Sequence, residues 1–271
     1  MISFPNCKIN IGLYVINKRT DGFHNIETVF YPINVNDALD IVKSPDGHFS
    51  FQTSGLKMGK DFENNLVVKA YRLLEKELNI PPVHIYLLKK IPHSAGLGGG
   101  SSDAAFTLMK LNEIFELNLS TEQLQLYASK LGSDCPFFIL NKPVLATHKG
   151  DAFNDVTLSL KDYRISIVKP NQHVKTVEAY QMIKPHNKSP MLDKLVAQPI
   201  ALWRKTIIND FEEVIFNQFP EIGKVKETFY NNGAIYAAMS GSGSAVYGIF
   251  KDTIPHMTFP DNYFVWNGKI E

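Results

Sequence analysis

Two cysteines, Cys7 and Cys135, are too few to staple a chain of 271 residues, and they point to a reducing compartment rather than a disulfide framework. Long hydrophobic runs are missing as well. No stretch reaches the ~18 consecutive apolar residues that a membrane-crossing helix needs. Met1 to Val15 lacks the basic segment and unbroken apolar core of a secretory signal, so the cytoplasm is the expected location. Charge of one sign is also absent: 28 basic residues against 27 acidic leave a net +1, with lysine far outnumbering arginine. That balance offers no electrostatic footprint for nucleic acid or an anionic membrane. A locally basic pocket can still hold an anionic small molecule. There is no internal repeat and no low-complexity tract.

What is present is an ordinary globular composition, 44% hydrophobic and 20% charged. A chain of this length buries roughly three quarters of its unfolded surface, enough for one large or two modest domains. Lys8 to Val15 alternates polar and apolar residues, the period of a half-buried strand, and Asn25 to Ile33 reads as a second strand beyond the Asp21-Gly22 turn. Asn64-Asn65 offers a helix cap, with Leu66, Ala70, Leu73 and Leu74 at helical spacing behind it. Val83 to Ile91 is a strand candidate. A helix from about Ser102 to Leu117 follows, then a capping box at Ser120 to Gln123 that opens another helix to about Leu131.

Regular patterns lapse over Asn141 to Asp162, which places a domain junction near residue 152 and divides the chain into 1–152 and 153–271. Beyond it come a strand over Arg164 to Val168, a helical stretch over Val177 to Ile183 and a polar loop from Lys184 to Pro190. A helix opened by Pro220 and closed by Asn232-Gly233 follows, then two strands flanking Ser240-Gly241-Ser242-Gly243-Ser244. Strands and helices mix without strict alternation, so the fold class is α+β.

The segment Pro92-His93-Ser94-Ala95-Gly96-Leu97-Gly98-Gly99-Gly100-Ser101-Ser102-Asp103 follows a strand and opens a helix. Residues without Cβ let a backbone approach an anion closely, and the helix adds its free N–H groups and the positive end of its dipole. Ser101 and Ser102 can donate to phosphate oxygens or ligate magnesium. The segment fits neither common nucleotide pattern. A Walker loop ends in Gly-Lys-Ser/Thr, and the dinucleotide fingerprint has glycine where Ser101 stands. A flexible connection is the plainer reading, but four glycines in five residues carry a large entropic cost for a mere linker.

This segment resembles the second motif of the GHMP kinases, Pro-x-x-x-Gly-Leu-Gly-x-x-Ser-Ser, through Pro92, Gly96, Leu97, Gly98, Ser101 and Ser102. Cys7-Lys8-Ile9-Asn10 resembles the first motif of the family and Ser240-Gly241-Ser242-Gly243 the third. Asp21-Gly22-Phe23-His24 and Gly132-Ser133-Asp134-Cys135-Pro136-Phe137-Phe138 are similar to signatures of one branch that phosphorylates an alcohol carrying cytidine diphosphate. The resemblance implies a two-domain architecture. An N-terminal domain like ribosomal protein S5 domain 2 would bind ATP, a ferredoxin-like C-terminal domain would help bind substrate, and the reaction would occur in a cleft.

Phosphoryl transfer is mostly positioning and charge neutralisation. A carboxylate that accepts the hydroxyl proton, with a cation nearby, is the useful pair. The resemblance assigns these roles to Asp134 and Lys8. A turn or cap for Asp134, and a structural ion pair for Lys8, are the plainer alternatives. For ATP it implies Asn65 at the adenine, Lys89 lining its slot, and Pro92, Gly96, Leu97, Gly98, Gly99, Gly100, Ser101 and Ser102 around the phosphates. Mg2+ would sit on Ser101 and Ser102. A helix cap explains Asn65 nearly as well. For substrate it implies Asn10 at the polyol, Phe23 and His24 at the cytosine, and Thr176 and Tyr180 from the second half; a lone aromatic is otherwise core.

Cys7 and Cys135 adjoin Lys8 and Asp134, so they are small apolar fillers or else points at which a bulky thiol reagent inactivates. Another GHMP activity, on mevalonate, homoserine or a sugar, and a non-catalytic nucleotide sensor are the competing functions. The residues do not separate a monomer from a homodimer.

Overall fold

Strand and helix periods in the sequence become two compact units in the computed structural model, which describes residues 1–57, 62–187 and 189–271. One unit comprises residues 1–7, 35–93 and 98–142; the other comprises 8–34, 94–97 and 143–271. In chain order the first elements are β1 (Ile2–Ser3), β2 (Asn6–Lys18), β3 (His24–Asn36), β4 (Ala38–Lys43) and β5 (Ser50–Gly55). Next come α1 (Leu66–Leu78), β6 (Val83–Lys89), α2 (Gly99–Ile114), α3 (Thr121–Ser129) and α4 (Cys135–Leu140). The second half holds β7 (Val144–Thr147), β8 (Ala152–Asp155), β9 (Arg164–Lys169), α5 (Thr176–Met182), α6 (Leu192–Val196) and α7 (Ile200–Thr206). It closes with α8 (Phe211–Gln218), α9 (Pro220–Asn231), β10 (Tyr236–Met239), β11 (Val246–Phe250) and β12 (Phe264–Lys269).

In the first unit the sheet order is β1-β4-β6-β5, with β5 parallel to β6 and the other pairs antiparallel. The register sets Leu39 against Leu87 and Ile41 against Ile85, so the inward faces of β4 and β6 coincide. Val67, Ala70, Tyr71 and Leu74 of α1 and Ala104, Leu108 and Leu111 of α2 pack onto that face as one core. Each fully buried large side chain there contributes about 1.5–3 kcal/mol relative to exposure. The local signals act as read. The Asn65 side chain caps α1 by accepting the Val67 N–H at 2.9 Å. At α3, Ser120 and Gln123 exchange both bonds of the capping box.

Two four-stranded sheets build the second unit, β2-β3-β7-β8 and β10-β11-β9-β12. Leu13, Val15 and Ile26 from the first join Val168, Met239 and Val246 from the second, and Phe211, Ile215, Ile222 and Phe229 of α8 and α9, in a single core. β2 and β3 come early in the chain but belong mostly with its second half, so the units are interleaved rather than consecutive. The region expected to be irregular, 141–162, holds the β7–β8 hairpin. Residues 184–187 and 189–190 of the expected loop carry no helix or strand, and Lys188 lies outside the described residues. Among the described residues, no helix is long and apolar enough to cross a membrane.

Candidate active site

The glycine-rich segment leaves β6 and enters α2, as its sequence context requires. The helix starts at Gly99, three residues before the expected Ser102, because Gly98 takes a left-handed conformation (φ 69°) and turns the chain into the first turn. Gly96 is also left-handed (φ 75°), and a Cβ there would lie 1.9 Å from the carbonyl oxygen of Ser240.

That close approach brings three distant motifs together inside the second unit. The Gly96 carbonyl accepts hydrogen bonds from the Lys8 ammonium at 3.1 Å and from the Ser240 hydroxyl at 2.8 Å. Lys8 also donates through its backbone to Leu97 at 2.9 Å and through Nζ to the Asn10 side chain at 2.5 Å. Asn10 in turn receives the Tyr247 hydroxyl on its carbonyl, donates its amide to Thr28, and donates its backbone N–H to Ser240. The ammonium of Lys8 stands 4.7 Å over the Phe30 ring, an arrangement in which a π-face supports a positive charge. Lys8 and Asn10 are both almost wholly buried.

In the first unit, Asp134 occupies the position just before α4 yet makes no capping hydrogen bond to it, so the plain cap reading does not describe it. Cys135 follows. Burial pushes its thiol up to about 12, with the Ser101 hydroxyl bond opposing and the Asp134 charge adding to the rise. Cys7 is fully buried too. Both thiols are therefore expected to resist labelling: an aromatic disulfide reagent should release little chromophore from native protein, with activity retained, and react at both cysteines only in denaturant. Rapid native labelling with loss of activity would restore the view that a modified thiol displaces Lys8 or Asp134.

Lys89 does not face solvent. Alternation along β6 turns it inward with Val83, Ile85 and Leu87, and its ammonium is held by Asp37 and by Asp103 at 2.7 Å. The ammonium is thus engaged within the fold. Desolvation pushes the Asp103 carboxyl up to about 7, against the pull of Lys89, while the Asp37 charge pushes the same way as burial. Neither Asp37 nor Asp103 stands out in the sequence as an isolated residue. Their signal is a charged residue on the apolar face of β6, which demands buried partners.

The two serines differ. Ser101 is half-buried and bonds to the Cys135 thiol, whereas Ser102 is fully buried with a hydroxyl that has no hydrogen-bond partner. Among the described residues there is no group of three or more His, Cys, Asp or Glu placed to hold a metal ion.

Three of the substrate residues expected from the sequence form a half-buried stacked pair, His24 and Tyr180, and an exposed ring, Phe23. His24 and Tyr180 stack on each other, centroids 5.0 Å apart and 18° between planes, and Tyr180 meets Phe211 edge-on. That spacing is direct ring contact and leaves no slot for a base between the two. Phe23 is 55% exposed, with the Lys149 ammonium 5.5 Å from its ring. Burial, aided by the Lys18 charge, lowers the His24 pKa and keeps its imidazole neutral. Thr176 opens α5 and shares a hydrogen bond with Ser242 at 3.0 Å, tying the third motif to that helix.

Fold and motif geometry define a small-molecule kinase. The models for the GHMP kinases N terminal domain and the GHMP kinases C terminal domain match residues 65–142 and 191–255, and the chain belongs to this family. The 4-diphosphocytidyl-2-C-methyl-D-erythritol kinase of Bacteroides thetaiotaomicron is 50% identical, over the whole of both chains. The crystal structure of a 4-(cytidine 5'-diphospho)-2C-methyl-D-erythritol kinase superposes with TM-score 0.80 at 28% identity, covering 93% of this chain and 91% of that one. Mevalonate kinase of Methanococcus jannaschii shares the fold, with TM-score 0.76 at 15% identity over 100% and 98% of the two chains.

Proposed function

We propose that the chain transfers the γ-phosphate of ATP to the 2-hydroxyl of 4-(cytidine 5'-diphospho)-2-C-methyl-D-erythritol, a step of isoprenoid precursor synthesis by the non-mevalonate route. The observation that carries this reading is the meeting of Lys8 and Ser240 on the Gly96 carbonyl, with Asn10 bonded to both, in a chain half identical to a relative of that name over its full length.

The loop from Pro92 to Ser102 holds the triphosphate through backbone N–H groups at the start of α2. At such a helix end, the unsatisfied donors and the dipole both favour negative charge. Asp134 accepts the proton of the 2-hydroxyl as it attacks, and Lys8 neutralises charge as it develops on the transferring group. Asn10, fixed by Lys8 and Thr28, orients the polyol. Phe23 gives the cytosine an open ring face, with neutral His24 and Tyr180 as the wall beside it. Thr176 anchors the substrate from α5, and Asn65 adjoins the adenine.

Magnesium fits this donor set in one way. The ion commonly keeps several waters and binds through substrate phosphates with few protein ligands. The half-buried Ser101 can supply such a ligand, and the orphaned Ser102 hydroxyl is a buried group that an arriving ligand oxygen would satisfy. When bound, the ion would offset phosphate charge.

An ATP-consumption assay tests the proposal. The cytidyl substrate is expected to support turnover, with mevalonate, homoserine and galactose at background. Turnover on one of those three would move the chain to another GHMP activity. Tight ATP binding without product on any of them would make it a sensor.

A further inference from the structure

We infer that Lys89, together with Asp37 and Asp103, is a positioning clamp for the nucleotide loop, fixing the strand that enters it to the helix that leaves it. This rests on the assignment of that loop to ATP.

Three buried charges lie where a core would ordinarily be apolar: Asp37 is 1% exposed, Lys89 1% and Asp103 2%. A cation taken fully out of water is costly unless its partners are well placed, and an apolar set of similar volume is often as stable. What the trio does in this fold is join particular segments. Asp37 immediately precedes β4, and its Oδ1 accepts the backbone N–H groups of Lys90 at 2.5 Å and Ile91 at 2.8 Å, the two residues that lead from β6 into the loop. Its Oδ2 takes the Lys89 ammonium. The same ammonium donates to Oδ2 of Asp103, in the second turn of α2, where the chain has left the loop. One nitrogen thus spans both ends of the phosphate-binding segment.

Gly99 closes the arrangement. A Cβ at this first helical residue would fall 2.7 Å from the Ile91 side chain and 3.1 Å from the Lys89 nitrogen, so the helix start is pressed directly onto the clamp. Asp103 is held by a single oxygen, since its Oδ1 has no hydrogen-bond partner. The direction of the free N–H groups of α2 is therefore set from below by a side chain whose ammonium is spent on Asp37 and Asp103.

Steady-state kinetics of Lys89→Met separate this role from plain support of the fold. The expected result is a fall of ~10² in kcat/KM for ATP, the effect of misplacing a site by about 1 Å. KM for the cytidyl substrate should be unchanged, and Lys89→Arg should recover part of the loss. Where Lys89→Met does not accumulate as folded protein, Asp37→Asn supplies the same comparison, because its amide oxygen still accepts the two backbone N–H groups while the ion pair weakens. An unchanged kcat/KM for ATP, or a fall in kcat/KM for ATP matched by an equal rise in KM for the cytidyl substrate, overturns the clamp. Wild-type protein that turns over no cytidyl substrate at all overturns the functional reading instead.

Discussion

Asp134→Asn is expected to lower kcat by ~10² to 10⁴, the usual contribution of a positioned general base, while ATP binds as tightly as before. The substitution keeps size and shape and removes only the ability to take a proton. It also discriminates between roles. Asparagine caps helices as well as aspartate does, so if Asp134 served only the start of α4, the variant would keep full activity. The structure already weakens that reading, because the side chain makes no capping bond to the helix. Turnover under saturating ATP and cytidyl substrate, with calorimetric titration of ATP alone, gives both quantities. Wild-type kcat would remove Asp134 from the chemistry. A parallel loss of ATP affinity would mean that the residue serves nucleotide binding instead.

The sequence was most legible where the physics is local. The Asn65 cap, the capping box at Ser120 and the Pro220 helix start are all decided within four residues of chain, and each stands in the structure as written. The β7–β8 hairpin was not legible. Four-residue strands are too short to show a period, and β7 is held by pairing with β3 more than a hundred residues earlier, Thr28 opposite Ala146 and Phe30 opposite Val144. Helices α6 and α7, of five and seven residues, lack side-chain caps and draw their stability from packing, which no local pattern announces.

The site divides along the same line. The glycine run identified itself by composition and by its place between strand and helix. The direction in which Lys89 points did not, since alternation turned it inward while its charge argued for solvent. Two carboxylates, 52 residues before it and 14 after it, decide the matter. His24 and Tyr180 were both expected at the cytosine, but their contact with each other depends on α5 meeting β3, a tertiary fact.

Gly96 shows the same dependence and carries the second large prediction. Two costs act at this residue in Gly96→Ala. A left-handed backbone costs an L-residue about 1–2 kcal/mol, and φ here is 75°. The added methyl would also fall 1.9 Å from the Ser240 carbonyl oxygen and 2.7 Å from its carbon, backbone atoms that cannot swing aside like a side chain. Overpacking of that kind costs a further ~1–3 kcal/mol. Together they lower Tm on the order of 10 °C for a chain of this size. Relief of the overlap must move the loop off the Ser240 turn, which breaks both hydrogen bonds to the Gly96 carbonyl and releases the Lys8 ammonium from one of its acceptors. A loss of ~10² or more in kcat/KM for ATP should therefore accompany the fall in Tm. Gly47→Ala is the control: φ is 76° and nothing lies within 4 Å of its Cβ, so it meets the conformational cost alone. That variant should lose about 1–2 kcal/mol of stability and keep wild-type kinetics. If Gly96→Ala behaves like Gly47→Ala, the three motifs do not depend on their meeting at this carbonyl, and the site as built here is wrong.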